Sequence, residues 1–106
     1  MLAREHRLKS SDAIREVVKS GKRVSNNVAT IHYLASDISQ YAVVTSKSLG
    51  NAVVRNRARR RAKAFLASYQ HPSLILKAVV RLRPEAGAMN WEQISSGLSE
   101  LLGRIK

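Results

Sequence analysis

One stretch of this sequence carries no acid. No Asp or Glu occurs between Asp37 and Glu85. At its centre lies Lys47-Ser48-Leu49-Gly50-Asn51-Ala52-Val53-Val54-Arg55-Asn56-Arg57-Ala58-Arg59-Arg60-Arg61-Ala62-Lys63-Ala64-Phe65. Gly50 permits a bend, Asn51 is a good N-cap, and the residues that follow lack Gly and Pro. The spacing predicts a helix from Asn51 to about Tyr69. Wound at 3.6 residues per turn, Val54, Ala58, Ala62, Phe65 and Tyr69 form a narrow apolar stripe. Arg55, Arg59 and Lys63 run along one flank, Arg57 and Arg61 along the other, with Asn56 and Arg60 outermost. The fold must therefore offer this stripe a core and leave the rest of the helix open.

The arrangement works against the helix itself. Arg55 and Arg57 sit near the N-terminal end, where the dipole is already positive. Like charges three and four residues apart repel by a few tenths of a kcal/mol per pair. A sequence shaped for folding alone would place Glu there. A polyanion outside the protein offsets the repulsion, and Arg suits bidentate phosphate contacts. The whole chain agrees: 19 Lys and Arg against 7 Asp and Glu give a formal net charge of +12. That balance points to nucleic acid before an anionic membrane or an acidic protein.

The rest of the chain supplies the core. Its 106 residues suit one domain, over 1–106, with residues 1–9 as an extended basic lead-in. Ser10-Ser11 offers an N-cap and Asp12 a first-turn acid. Ile14, Val17 and Val18 then give a helical face over about 11–20, with Gly21 beyond its end. Val28 to Ala35 and Tyr41 to Ser46 read as strands joined by a turn, hence an antiparallel hairpin. Lys22 to Ser25 can add a short strand or an extended arm. Gln70-His71-Pro72 breaks the basic helix. Leu74 to Leu82 is a long strand with an apolar face and a half-basic face, which suits a sheet covered by helices on one side. After the loop Pro84-Glu85-Ala86-Gly87, Asn90 and Gln93 form a capping box. Ile94, Leu98, Leu101 and Ile105 give the last helix its stripe, with Trp91 joining at the start. The expected fold is an α+β two-layer sandwich, ordered α-β-β(-β)-α-β-α, with helices against a mostly antiparallel sheet.

The central motif also resembles a known family. Gly50-Asn51-Ala52-Val53-Val54-Arg55-Asn56-Arg57, followed by Arg59-Arg60-Arg61, is similar to the signature of the bacterial ribonuclease P protein subunit, whose Arg-Asn-Arg is here Arg55-Asn56-Arg57. Val44-Thr45-Ser46-Lys47 resembles the strand that leads into it. Glu5-His6-Arg7-Leu8, Asp12, Val17 and Gly21 resemble the family's N-terminal pattern. The resemblance implies a left-handed strand–helix–strand crossover at the basic helix, against the usual right-handed rule. It implies that an RNA subunit holds the catalytic centre and its magnesium. The protein then docks on that RNA and contacts the 5′ leader of precursor tRNA. Carried over, Lys47, Asn51, Arg55, Asn56, Arg57, Arg59, Arg60, Arg61 and Lys63 are the RNA-binding candidates. In the family, aromatic residues of the first helix and the sheet line a cleft for the leader. Here the matching helix positions are Ile14 and Val18, which cannot stack on a base. Tyr33 and Tyr41 are the available strand aromatics, and Lys77 and Arg81 the available strand cations. Ser48 stands where a Lys is common.

No catalytic constellation is visible. His6, His32 and His71 share no spacing, Asp37 and Glu85 fall in turns, and the Walker and Gly-x-Ser-x-Gly patterns are absent. There is no Cys, hence no disulfide and no thiolate metal site. The N-terminus lacks a signal-peptide core, and no apolar run approaches the roughly 18 residues that span a bilayer. The expectation is a cytoplasmic protein with RNA partners, no membrane and no DNA. Another small basic RNA-binding protein, such as a ribosomal protein, is the alternative. A lipid-docking helix is disfavoured because its apolar stripe is narrow.

Overall fold

Strand β4 (Leu76–Leu82) is the axis of the architecture. In the computed structural model, which describes residues 7–69 and 75–105, the four strands lie in the order β1 (Lys22–Ser25), β2 (Ala29–Ala35), β4, β3 (Gln40–Val44). β2 pairs antiparallel with β1 and with β4, whereas β3 pairs parallel with β4. The expected β2–β3 hairpin therefore does not form. The chain does reverse at residues 36–39, but it leaves a slot one strand wide, and β4 fills it. Two strand spacings are about 10 Å, within reach of a four-residue connection. The reason lies in composition. Leu76, Ala78, Val79, Val80 and Leu82 are all buried, so β4 takes the position covered on both faces.

Three helices flank the sheet: α1 (Ser11–Ser20), α2 (Ala52–Ser68) and α3 (Trp91–Gly103). Helices α2 and α3 close the face that carries Ile31, Ala78, Val80 and Leu82. Ala58, Ala62, Leu66, Ile94, Leu98, Leu101 and Leu102 join that core. Helix α1 lies on the other face, where Val17 and Leu8 pack on Val79. The half-basic face is thus partly covered rather than left bare. The lead-in helps: the Leu8 amide donates to the Tyr41 carbonyl at 2.9 Å, and Arg7 bridges Tyr41 in parallel.

The caps follow the sequence. Ser10 accepts from the Ala13 amide at 3.3 Å and opens α1. Asn51 accepts from the Val54 amide at 3.0 Å and opens α2. Asn90 and Gln93 exchange bonds of 2.9 and 3.0 Å in a full capping box. Between β3 and α2 the chain makes a 3₁₀ turn, Lys47–Leu49, and then passes Gly50 at φ 140°. Only glycine adopts that conformation without strain. The loop read at Pro84–Gly87 is itself a 3₁₀ turn, Pro84–Ala88. The turn read at Gln70-His71-Pro72 lies outside the described residues.

The apolar stripe of α2 is shifted by one position. Leu66 is fully buried, while Phe65 and Tyr69 lie at the edge of the core with their rings stacked at 5.5 Å. Ala58, Ala62 and Leu66 follow strict i, i+4 steps, which form one ridge of an α-helix.

Candidate nucleic-acid interface

Helix α2 carries six basic side chains and no acid. The flanks are occupied as the winding requires. On one side Arg59 donates to Thr45 Oγ1 at 2.7 Å and to Asn56 Oδ1 at 3.0 Å, which ties α2 to the end of β3. On the other side Arg61 donates to the Met89 carbonyl at 2.6 Å and Arg57 to the Gly87 carbonyl at 3.3 Å. These two bonds hold the segment that leads into α3. Gly87 is required there, because a Cβ would stand 2.2 Å from the Leu49 carbonyl oxygen. The side chains of Arg55, Arg60 and Lys63 have no hydrogen-bond or ion-pair partner among the described residues. Lys47 is exposed in the 3₁₀ turn, and Asn51 serves as the cap.

None of the ion pairs among the described residues involves α2. They are Arg15–Asp12, Arg83–Glu85 and Arg104–Glu100, all on exposed side chains. The positive charge of α2 is therefore not neutralised within the described residues. It faces solvent with three guanidinium groups fixed by protein acceptors and two, Arg55 and Arg60, left without one. Fixed donors suit a phosphate ligand, because little side-chain entropy remains to be lost.

The leader-cleft candidates separate. Strand alternation puts Lys77 and Arg81 on the face of Val79, the face that α1 partly covers with Ile14 and Val18. These four residues do share one surface. Tyr33 and Tyr41 do not belong to it. Both are in register with Ala78, on the opposite face: Tyr41 is buried in the core that α2 and α3 close, and Tyr33, partly buried, packs against it. Tyr41 is 5% exposed, and burial, followed by the nearby Tyr69, raises its phenol pKa.

Two residues escaped the sequence reading. His32 sits beside Val79 on the α1 face, buried, with neither ring nitrogen hydrogen-bonded among the described residues. Burial, then Arg81 and Arg23, push its pKa below the ordinary value. A lone histidine in a strand gives no signal of this. Trp91 was expected on the buried stripe of α3, three residues before Ile94. It is 44% exposed instead, and lines a cavity of about 640 Å³ with Arg7, Arg57, Arg60, Arg61 and Lys63.

Among the described residues, no three His, Asp or Glu side chains converge as metal ligands. Magnesium requires hard oxygen donors, and a surface of guanidinium groups does not fit it. No helix among the described residues is long and apolar enough to cross a membrane.

Comparison with known proteins gives the same answer from three directions. The family model for Ribonuclease P matches residues 2–106. The ribonuclease P protein component of Acidothermus cellulolyticus is 32% identical over 110 residues, covering 99% of this chain and 92% of that protein. That of an Arthrobacter species is 39% identical over 98 residues, covering 89% and 72%. Among solved structures, the RNase P protein of Staphylococcus aureus superposes with a TM-score of 0.86 at 26% identity over 95% of both chains. The Thermotoga maritima protein, at 20% identity and a TM-score of 0.85, shares the fold. With the motif, the fold and the sequence matches in agreement over nearly its full length, the chain belongs to the ribonuclease P protein family.

Proposed function

We propose that the protein is the RNA-binding subunit of ribonuclease P. It docks on the catalytic RNA through the outer surface of α2 and assists removal of the 5′ leader from precursor tRNA. The observation that carries this reading is the un-neutralised charge of α2 in a chain of this family. Arg55, Arg60 and Lys63 have donors to spare, and each phosphate they meet releases condensed counterions. Arg57, Arg59 and Arg61 hold the helix to β3 and to the start of α3, so the cationic surface arrives preformed. Bound near the reacting strand, these charges lower the repulsion between the RNA and the incoming leader.

The leader would run over the α1 face of the sheet, between Ile14 and Val18 on the helix and Lys77 and Arg81 on β4. With no aromatic ring supplied by these four, contact there rests on phosphates and apolar surface rather than stacking. Magnesium held by the RNA would supply the hydrolytic chemistry, and this chain's residues hold and orient the polyanions.

The test is reconstitution. Purified protein added to the catalytic RNA at low magnesium is expected to restore precursor-tRNA cleavage, while RNA-free protein cleaves nothing. No gain in cleavage over RNA alone, with a folded protein, overturns the proposal.

A further inference from the structure

Trp91 is the sole tryptophan of the chain and occupies the first position of α3. One exposed apolar side chain needs no explanation by itself. Its surroundings do. The cavity it lines is about 640 Å³, within the roughly 300–1,000 Å³ of small-ligand sites. Five cations share the lining with it, and no carboxylate does among the described residues. Two of those cations cannot swing away freely, because Arg57 and Arg61 are bonded to the Gly87 and Met89 carbonyls just before the helix. Those same bonds set Trp91 against the basic flank of α2. The result is an apolar aromatic plate beside a row of guanidinium groups. A site for phosphate alone has no use for an indole, and a peptide-binding pocket has no use for five cations. A nucleotide has both parts: a ring to stack and a phosphate on either side.

We propose that the cavity between Trp91 and α2 takes one unpaired nucleobase of the catalytic RNA, stacked on the indole, with its flanking phosphates on Arg60 and Lys63. This deepens the proposed function and rests on it. The catalytic RNA is favoured over the leader by position. Ile14, Val18, Lys77 and Arg81 lie on the α1 face of the sheet, whereas α2 and α3 cover the other.

Because there is only one tryptophan, its fluorescence reports this site alone. Titrating the full-length protein with the cognate catalytic RNA is expected to quench Trp91, and high salt to reverse the quench. Precursor tRNA alone is expected to leave the emission unchanged. Trp91→Phe keeps a ring and should bind the RNA within about twofold of wild type. Trp91→Leu keeps the apolar bulk without the ring and should bind about fivefold or more weakly, given the usual contribution of base–aromatic stacking. Its salt slope should not change, since no phosphate contact is lost. Thermal melts check that both variants fold. Binding without quenching, or Leu binding as well as Trp, overturns the stacking site and leaves the subunit reading intact. Equal quenching by precursor tRNA alone overturns the assignment to the catalytic RNA. A wild-type protein that neither binds the catalytic RNA nor aids cleavage removes the proposed function, and this inference with it.

Discussion

Arg60→Gln and Arg61→Gln change adjacent residues and are expected to move stability in opposite directions. Arg61 donates to the Met89 carbonyl at 2.6 Å from a half-buried position. A hydrogen bond from a charged group contributes about 1.5–3 kcal/mol. Partial exposure and relief of the Arg57–Arg61 repulsion reduce the net loss to about 1 kcal/mol. For a domain of this size that lowers Tm by about 4–6 °C. Arg60 donates to nothing among the described residues and stands three residues from both Arg57 and Lys63. Removing its charge relieves two like-charge pairs of about 0.2–0.5 kcal/mol each. Its Tm should hold or rise by up to about 2–6 °C, and the gain should shrink in molar salt. Thermal melts at low and high salt decide this, and RNA affinity measured against salt supplies the other half. Arg60→Gln should weaken binding to the catalytic RNA and reduce the log–log salt slope by somewhat under one unit. Equal destabilisation by both variants, with the Arg60 salt slope intact, refutes the division of α2 into structural and ligand-facing arginines.

Leu66→Ala should cost about 2–5 kcal/mol in denaturant melts, and Phe65→Ala clearly less, because Leu66 is fully buried and Phe65 is at the core edge; the reverse order would return the stripe to Phe65. His32 gives a pH dependence. Its folded pKa is depressed, so on acidification through the ordinary value near 6.5 the unfolded chain takes a proton that the fold resists. Stability is full above that value and lost below it, and His32→Leu should flatten Tm between pH 7.5 and 5.5; an unchanged profile refutes the buried neutral ring. Gly50→Ala should cost about 1–3 kcal/mol through its φ of 140°, and a melt within 0.5 kcal/mol of wild type, at about the error of an ordinary surface change, refutes the strain.

Much of this was legible from local chemistry. Ser10, Asn51 and Asn90 marked three helix starts because a cap is decided within four residues. The flanks of α2 followed from its winding alone. Strand order was not legible, since Val28–Ala35 and Tyr41–Ser46 look like a hairpin to any local reading. The apolar content of Leu76–Leu82 said that this strand is central, but not which strands it would separate. Trp91 failed for a related reason. Periodicity places it on the stripe of Ile94, yet the first turn of α3 is drawn toward α2 by Arg57 and Arg61, which no pattern within α3 encodes. Tyr33 and Tyr41 fell on the core face because register, set by β4, chooses the side.

The insertion of β4 between β2 and β3 also sets an order of events during synthesis. Neither β2 nor β3 has its main partner until residues 76–82 have been made, some 40 residues after β2 ends. Non-local pairing of this kind forms slowly, and synthesis adds about 5–20 residues per second. The Arg-rich segment is complete at Lys63, so for about 1–4 s before Leu82 is made the nascent chain holds it with only the β1–β2 pair of the sheet in existence. At that stage its charge is at its most available and its apolar ridge is still bare. An RNA that engages the arginines early would hold Ala58, Ala62 and Leu66 on the free side of the helix, ready for the sheet.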